Sequence, residues 1–221
     1  MNNTHRPFTP ALGRLGRLGS YDKVVAIMTR ERMWRAQMLA ELAPKAQQSI
    51  VDIGSGTGSF AILVKQASPG ARVIGIDPDP NVRRIAEMKA ETANVSIKFI
   101  TAFGEDSSDY VPVNSMDAVT CSLELHQCPI AVKIGILENT YGLLRPAGTL
   151  LISDYGMQRT LLMTALFNQV RLLDGYKDTK ANKDGRIPEL IHSAGFCDIE
   201  ELKLTQTPTG SISLYRARKP E

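Results

Sequence analysis

The segment VDIGSGTGSF, Val51 to Phe60, holds three glycines at alternate positions, Gly54, Gly56 and Gly58, between an apolar run and the helical pattern SFAILVKQA. A strand that ends in such a turn and leads straight into a helix offers bare backbone to an anionic or polar ligand. Asp52 precedes the first glycine by two residues, which puts a carboxylate at the strand's carboxyl end. A second apolar run, ARVIGID, ends in Asp77, 19 residues after Gly58. This is close to the offset of ~20 residues at which an acidic side chain takes both ribose hydroxyls. The combination points to a nucleotide-like ligand; the plainer alternative is a strand-to-helix turn without a ligand, in which an aspartate only caps a helix. The fingerprint G-x-G-x-x-G is not met, because Ser59 stands where its third glycine would be. That turns the reading from NAD towards another adenosine ligand.

These residues need strands to carry them. Short apolar runs at 48–53, 72–77, 96–100, 116–121 and 148–153 alternate with helical patterns, which requires parallel pairing through right-handed crossovers and a doubly wound sheet. Two further runs, 198–204 and 211–217, lie close together near the end. Before the central block, Ile27, Trp34, Met38 and Leu42 recur at near-helical spacing within 24–42 and should lay one face on the core or over a ligand cleft. Residues 1–19 are rich in Gly, Pro and Arg and read as a loose arm. Between Tyr155 and Arg186 lies an insertion whose run TLLMTALFNQVRLLDGY has large apolar residues on more than one helical face. Such a helix needs two surfaces to bury, and a substrate lid, a dimer contact and plain packing all satisfy that.

With 221 residues, 43% of them apolar and 22% charged, the chain suffices for one enzyme-sized α/β domain. Its net charge of +3 is uneven, since residues 1–45 carry eight Lys/Arg against three acids. Arg32 and Lys23 sit beside Glu31 and Asp22, so a solvated surface is favoured over nucleic-acid contact. Cys121, Cys128 and Cys197 form no CxxC pair, which indicates neither a disulfide framework nor a metal site and fits a reducing cytoplasm. No run has signal-peptide character and none reaches the ~18 apolar residues of a membrane span. A soluble, cytoplasmic protein is the expectation.

The pattern D-x-G-x-G-x-G followed by GIDPDP resembles the class I S-adenosylmethionine-dependent methyltransferases. Later segments match in order: ITAFGED, MDAVTCSLELHQC, LLRPAGTLLISD, then AGFCDIEELKL and SISLYRARKP, so the resemblance runs from about Tyr21 to Lys219. Tyr21-Asp22 and Trp34-Arg35 look like the start of the ubiquinone/menaquinone-type C-methyltransferases, whose usual Arg-Asn after the fourth strand is replaced here by Leu125-His126-Gln127. The resemblance implies a Rossmann-like, mostly parallel seven-stranded sheet with an antiparallel C-terminal hairpin. It divides the chain into an arm and helical N-terminal extension (1–45) and a methyltransferase domain (46–221) with a helical insertion at 155–186.

The resemblance further implies that the turn Asp52, Gly54, Ser55, Gly56 and Gly58 holds the methionine portion of S-adenosylmethionine, with Asp77 on the ribose and Pro78 beside the adenine. Phe103 stands where many relatives have Asp or Asn, so an aromatic face replaces a partner for the adenine amine, with Gly104 and Glu105 as polar neighbours. Cys121 would offer its backbone carbonyl to the methionine amine. Methyl transfer from a sulfonium needs above all alignment of acceptor and methyl, and a base only if the acceptor loses a proton. His126, just past the fourth strand, is the best-placed titratable group, and Asp154 and Tyr155 at the fifth strand's end point towards the expected acceptor pocket; loop packing, helix capping and core filling are their alternatives. The reading is a methyltransferase acting on a small, partly apolar molecule. RNA or protein methylation and a non-catalytic cofactor-binding scaffold remain open, as does a homodimer.

Overall fold

The central strands are short apolar runs buried along almost their whole length, which requires helices on both faces of the sheet. The computed structural model describes residues 26–221. Helix α1 (Glu31–Leu42) precedes β1 (Ser49–Ile53), α2 (Ser59–Ala67), β2 (Arg72–Asp77), α3 (Pro80–Thr92) and β3 (Lys98–Thr101). Then come β4 (Met116–Ser122), α4 (Ile130–Leu143) and β5 (Leu144–Tyr155). Three helices follow, α5 (Leu161–Asp174), α6 (Lys180–Lys183) and α7 (Ile187–Ser193), before β6 (Cys197–Thr207) and β7 (Gly210–Arg218) close the sheet.

The sheet has seven strands in the order β3-β2-β1-β4-β5-β7-β6. β1 to β5 pair in parallel, while β7 runs antiparallel to both β5 and β6. The order reverses between β1 and β4, so the carboxyl ends of those two strands border the crevice where such sheets bind ligands. Val51 and Ile53 of β1 join Val119 of β4, Leu137 of α4 and Ile191 of α7 in one apolar layer. Ile50 faces the other way, with Trp34 and Met38 of α1, Phe60 of α2, Ala86 of α3 and Phe167 of α5.

The expected elements are present, with differences at their ends. The N-terminal helical pattern does not run unbroken: Arg30 has φ 51°, α1 starts after it, and Ile27 is 74% exposed instead of joining Trp34 and Met38 in the core. The arm at 1–19 and the Tyr21-Asp22 pair lie outside the described residues. β5 starts at Leu144, earlier than its apolar run, and accommodates Ala147 at φ 60°.

Gly58 caps the start of α2 at φ +73°, and a Cβ there would lie 2.8 Å from Phe99 and 2.9 Å from Ala86. A left-handed backbone and an overpacked contact thus coincide. Gly58→Ala is expected to destabilise the fold by about 2–4 kcal/mol, read as a fall in the urea midpoint at constant slope.

Candidate functional site

The glycine turn and β2 are joined by one carboxylate. Asp77 accepts from the Gly56 N–H at 2.8 Å and, through its other oxygen, from the Asp79 N–H at 2.9 Å. Each oxygen keeps a lone pair for a further donor, as a ribose diol requires. Helix capping falls to Asp79, whose side chain accepts from the Asn81 N–H at 2.8 Å with Pro80 at the first helical position. Asp77 is thereby released from the capping alternative. Gly56 has φ +51°, and a Cβ there would meet nothing within 4 Å, so the turn presents open space above backbone at the crevice.

The charges around this space are acidic. Burial raises Asp52 to about 7, although the Thr120 hydroxyl donates to it at 2.7 Å and Arg35 lies near. Burial also raises Asp77 to about 6, against the two backbone N–H groups that lower it. Glu124 was not foreseen: it follows β4, its side chain comes within 2.8 Å of where a Gly54 Cβ would stand, and burial with Asp77 nearby raises it to about 7. Leu123, held at φ 51° with its N–H on the Ser153 carbonyl at 2.9 Å, turns the chain so that Glu124 points back to the glycines. A pyrophosphate would add negative charge to three crowded carboxylates, whereas a ligand with a sulfonium and an ammonium relieves them. The residues present therefore fit S-adenosylmethionine.

Beside the cradle, the structure brings His126, Asp154 and Tyr155 together. His126 Nδ1 lies 2.8 Å from Asp154, and the His126 N–H donates to the same carboxylate at 3.2 Å. Its ring meets Tyr155 edge-on at 4.9 Å. Tyr155 is buried, with its hydroxyl donating to Thr209 at 2.8 Å. His126 Nε2 reaches Asp174, the last residue of α5, at 3.4 Å. Burial pulls the imidazole down, but Asp154 and Asp174 overcome it and lift the value to about 9. At neutral pH the ring is a cation between two carboxylates. Lys133 of α4, fully buried, donates to the Leu125 carbonyl and so secures the turn that carries His126. Asp174 and Lys133 gave no local signal, because their partners lie on other elements.

The remaining expected cofactor residues sit along the same rim. Ser55 donates its N–H to the Ile76 carbonyl at 3.0 Å, and half-buried Pro78 follows Asp77 directly. The chain leaves β3 beside Asp77, where the Ala102 N–H donates to the Asp77 carbonyl at 3.2 Å, and Phe103, Gly104 and Glu105 come next, all half-buried. Gly104 packs on β1, since a Cβ there would lie 2.7 Å from Ile53. Cys121 is buried between Ile53 and Ile152, and burial drives its thiol up, so the side chain stays protonated. No group of three or more metal-ligating side chains occurs among the described residues.

Residues 50–148 match the model of a methyltransferase domain. The chain is 30% identical over 122 residues to the demethylmenaquinone methyltransferase of Thermus thermophilus, covering 55% of this chain and 54% of that one. With the demethylmenaquinone methyltransferase of Deinococcus radiodurans it shares 29% identity over 192 residues, 85% of this chain and 77% of the other. It thus spans about half of one relative and about three quarters of the other. Among solved structures, phosphoethanolamine N-methyltransferase 2 of Haemonchus contortus, bound to phosphomonomethylethanolamine and S-adenosylhomocysteine, superposes with a TM-score of 0.68 at 18% identity, over 86% of this chain and 53% of that one. Residues 50–148 thus carry a methyltransferase domain, in a chain whose fold is that of the class I S-adenosylmethionine-dependent methyltransferases. Within that class, the sequence relatives named here are of the quinone-methylating type.

Two outcomes follow from the acidic cradle. A cationic ligand lowers the carboxylate values, so S-adenosylmethionine binding should release protons and tighten as pH rises from about 6 to about 7. Calorimetry in buffers of different ionisation heat reads this directly, and Glu124→Gln should reduce both the release and the affinity. Without ligand, Asp52, Asp77, Glu124 and His126 all hold protons more tightly folded than unfolded. Their contribution is greatest below the unfolded values and is lost as pH rises through the folded ones, so the melting temperature should fall between about pH 4 and about pH 9.

Proposed function

We propose that this chain transfers a methyl group from S-adenosylmethionine to a small, partly apolar acceptor bearing a ring hydroxyl, of the kind its quinone-methylating relatives take. The observation that carries the reading is the carboxylate cradle of Asp52, Asp77 and Glu124 set directly beside His126. One side of that junction suits a cationic cofactor, and the other offers a titratable ring to an acceptor. When bound, S-adenosylmethionine supplies an electrophilic methyl group on a cationic sulfur.

The chain's own residues then orient the acceptor and handle its proton. Asp154 fixes His126 Nδ1 at 2.8 Å and so leaves Nε2 as the working nitrogen. Nε2 contacts Asp174 at the longer 3.4 Å, a contact that an acceptor hydroxyl can replace. Removing Asp174 from the ring also removes one of the charges that hold it protonated, which moves His126 back towards the range of a general base. Tyr155, which meets the His126 ring edge-on, packs in turn on Phe167 with centroids 4.7 Å apart.

His126→Ala is expected to lower kcat about 10²–10⁴-fold with little change in cofactor affinity. Asp77→Ala should instead weaken cofactor binding. The direct assay incubates the protein with methyl-labelled S-adenosylmethionine and a cell extract divided into small-molecule, RNA and protein fractions. Label in the apolar small-molecule fraction supports the reading. Label in RNA or protein replaces it with macromolecular modification, and cofactor binding without label in any fraction supports a scaffold.

A further inference from the structure

Lys133 is the least expected charge in the fold. It is the fourth residue of α4, in the first turn, where a helix dipole opposes a cation, and it is 0% exposed. Lysine is almost never buried to that degree without a partner that offsets its desolvation. Among the described residues it forms no ion pair, and its amine donates instead to the Leu125 carbonyl. That carbonyl also accepts from the Cys128 N–H at 3.1 Å, so the turn is already closed without the lysine. Closing the turn therefore does not account for a buried cation.

The peptide group that receives this amine is the one that reaches Asp154. Leu125 supplies its carbonyl and His126 its N–H, which donates to one oxygen of the Asp154 carboxylate at 3.2 Å. His126 Nδ1 lies 2.8 Å from the other oxygen. Amine, peptide, carboxylate and imidazole thus form one hydrogen-bonded chain, in which a donor on the carbonyl polarises the peptide and strengthens its N–H towards Asp154. The charges facing the chain are Asp154 on β5, Asp174 at the end of α5, Asp178 in the loop after α5, and Glu124 beside the turn. Cys128 is also near, but burial drives its thiol up and keeps it neutral. Burial lowers Lys133, and the surrounding carboxylates oppose that fall in favour of the ammonium form. A cation that draws on Asp154 leaves less of that carboxylate's field to the imidazolium.

We infer that Lys133 is a positioning residue for His126: through the peptide between Leu125 and His126 it fixes the ring on Asp154 and offsets part of the negative charge that holds the ring as a cation. Lys133 and Asp174 then act in opposite senses on one imidazole, the lysine from the Asp154 side and the aspartate at Nε2. Displacement of Asp174 by an acceptor would leave the lysine's influence in place. The consequence for proton transfer rests on the function proposed above; the effect on the ring's own titration does not.

The test titrates the histidine Cε1–H signals of the full chain by NMR, without cofactor or acceptor, with His126→Ala identifying the signal of interest. Lys133→Met removes amine and charge at similar volume, while Lys133→Gln keeps a donor for the Leu125 carbonyl but not the charge. Both should raise the His126 midpoint by about one pH unit and leave His5 and His192 unmoved. With an acceptor in hand, the pH profile of kcat should move to the alkaline side by the same interval. An unmoved or lowered midpoint in a folded variant overturns the inference. So does a wild-type midpoint in Lys133→Gln, since the hydrogen bond alone then suffices, and so does loss of the fold in both variants, since Lys133 is then structural. The titration needs no turnover, so its failure is distinguishable from failure of methyl transfer.

Discussion

Three carboxylates crowd the carboxyl ends of β1, β2 and β4, and most of the site follows from their burial. Asp52, Asp77 and Glu124 each lose hydration there, and each is pushed towards neutrality by that loss before neighbouring charges act. Hydrogen bonds offset only part of the cost: Thr120 for Asp52, two backbone N–H groups for Asp77, Gln127 for Glu124. A fold keeps such a cluster where a positive ligand completes it. The same cluster opposes a phosphate-bearing cofactor, so electrostatics and glycine spacing separate a sulfonium ligand from a dinucleotide by independent routes.

The Asp77 carboxylate also gives the glycine turn its shape. Through Gly56 it ties the turn to the end of β2, and through Asp79 it ties that end to the start of α3. Ligand contact and loop geometry thus share one side chain. Replacing it alters both, which is why the open space above Gly56 and the carboxylate below it form one unit.

Much of this was legible in the chain because it depends on short-range spacing. The glycine turn, Asp52 and Asp77 lie on contiguous strand-turn-helix segments, and the alternation of strand and helix dictates that their ends meet. The DPDP segment was less transparent, since either aspartate could cap α3. Pro80 settles that locally: it is preorganised for the first helical position, which makes Asp79 the cap and frees Asp77. Glu124 was hidden for a different reason. A single acid between Leu123 and Leu125 looks like an ordinary loop residue, and only the left-handed turn at Leu123 aims it at the glycines. The break at Arg30 was equally unreadable, because a left-handed arginine has no local compositional mark.

Asp174 shows where spacing stops being informative. It lies 48 residues from His126, and its contact exists only because Met163, Phe167 and Val170 seat α5 against the sheet at one height. That seating uses one apolar face of the helix, so the arrangement that sets the charge on His126 also leaves Leu161, Leu172 and Leu173 exposed. If α5 shifts on its seat, the Asp174 contact at 3.4 Å is the weaker of the two that hold the imidazole and yields before the 2.8 Å contact to Asp154. The insertion therefore reaches the site through one carboxylate, carried at the end of a helix whose height on the sheet its buried face fixes.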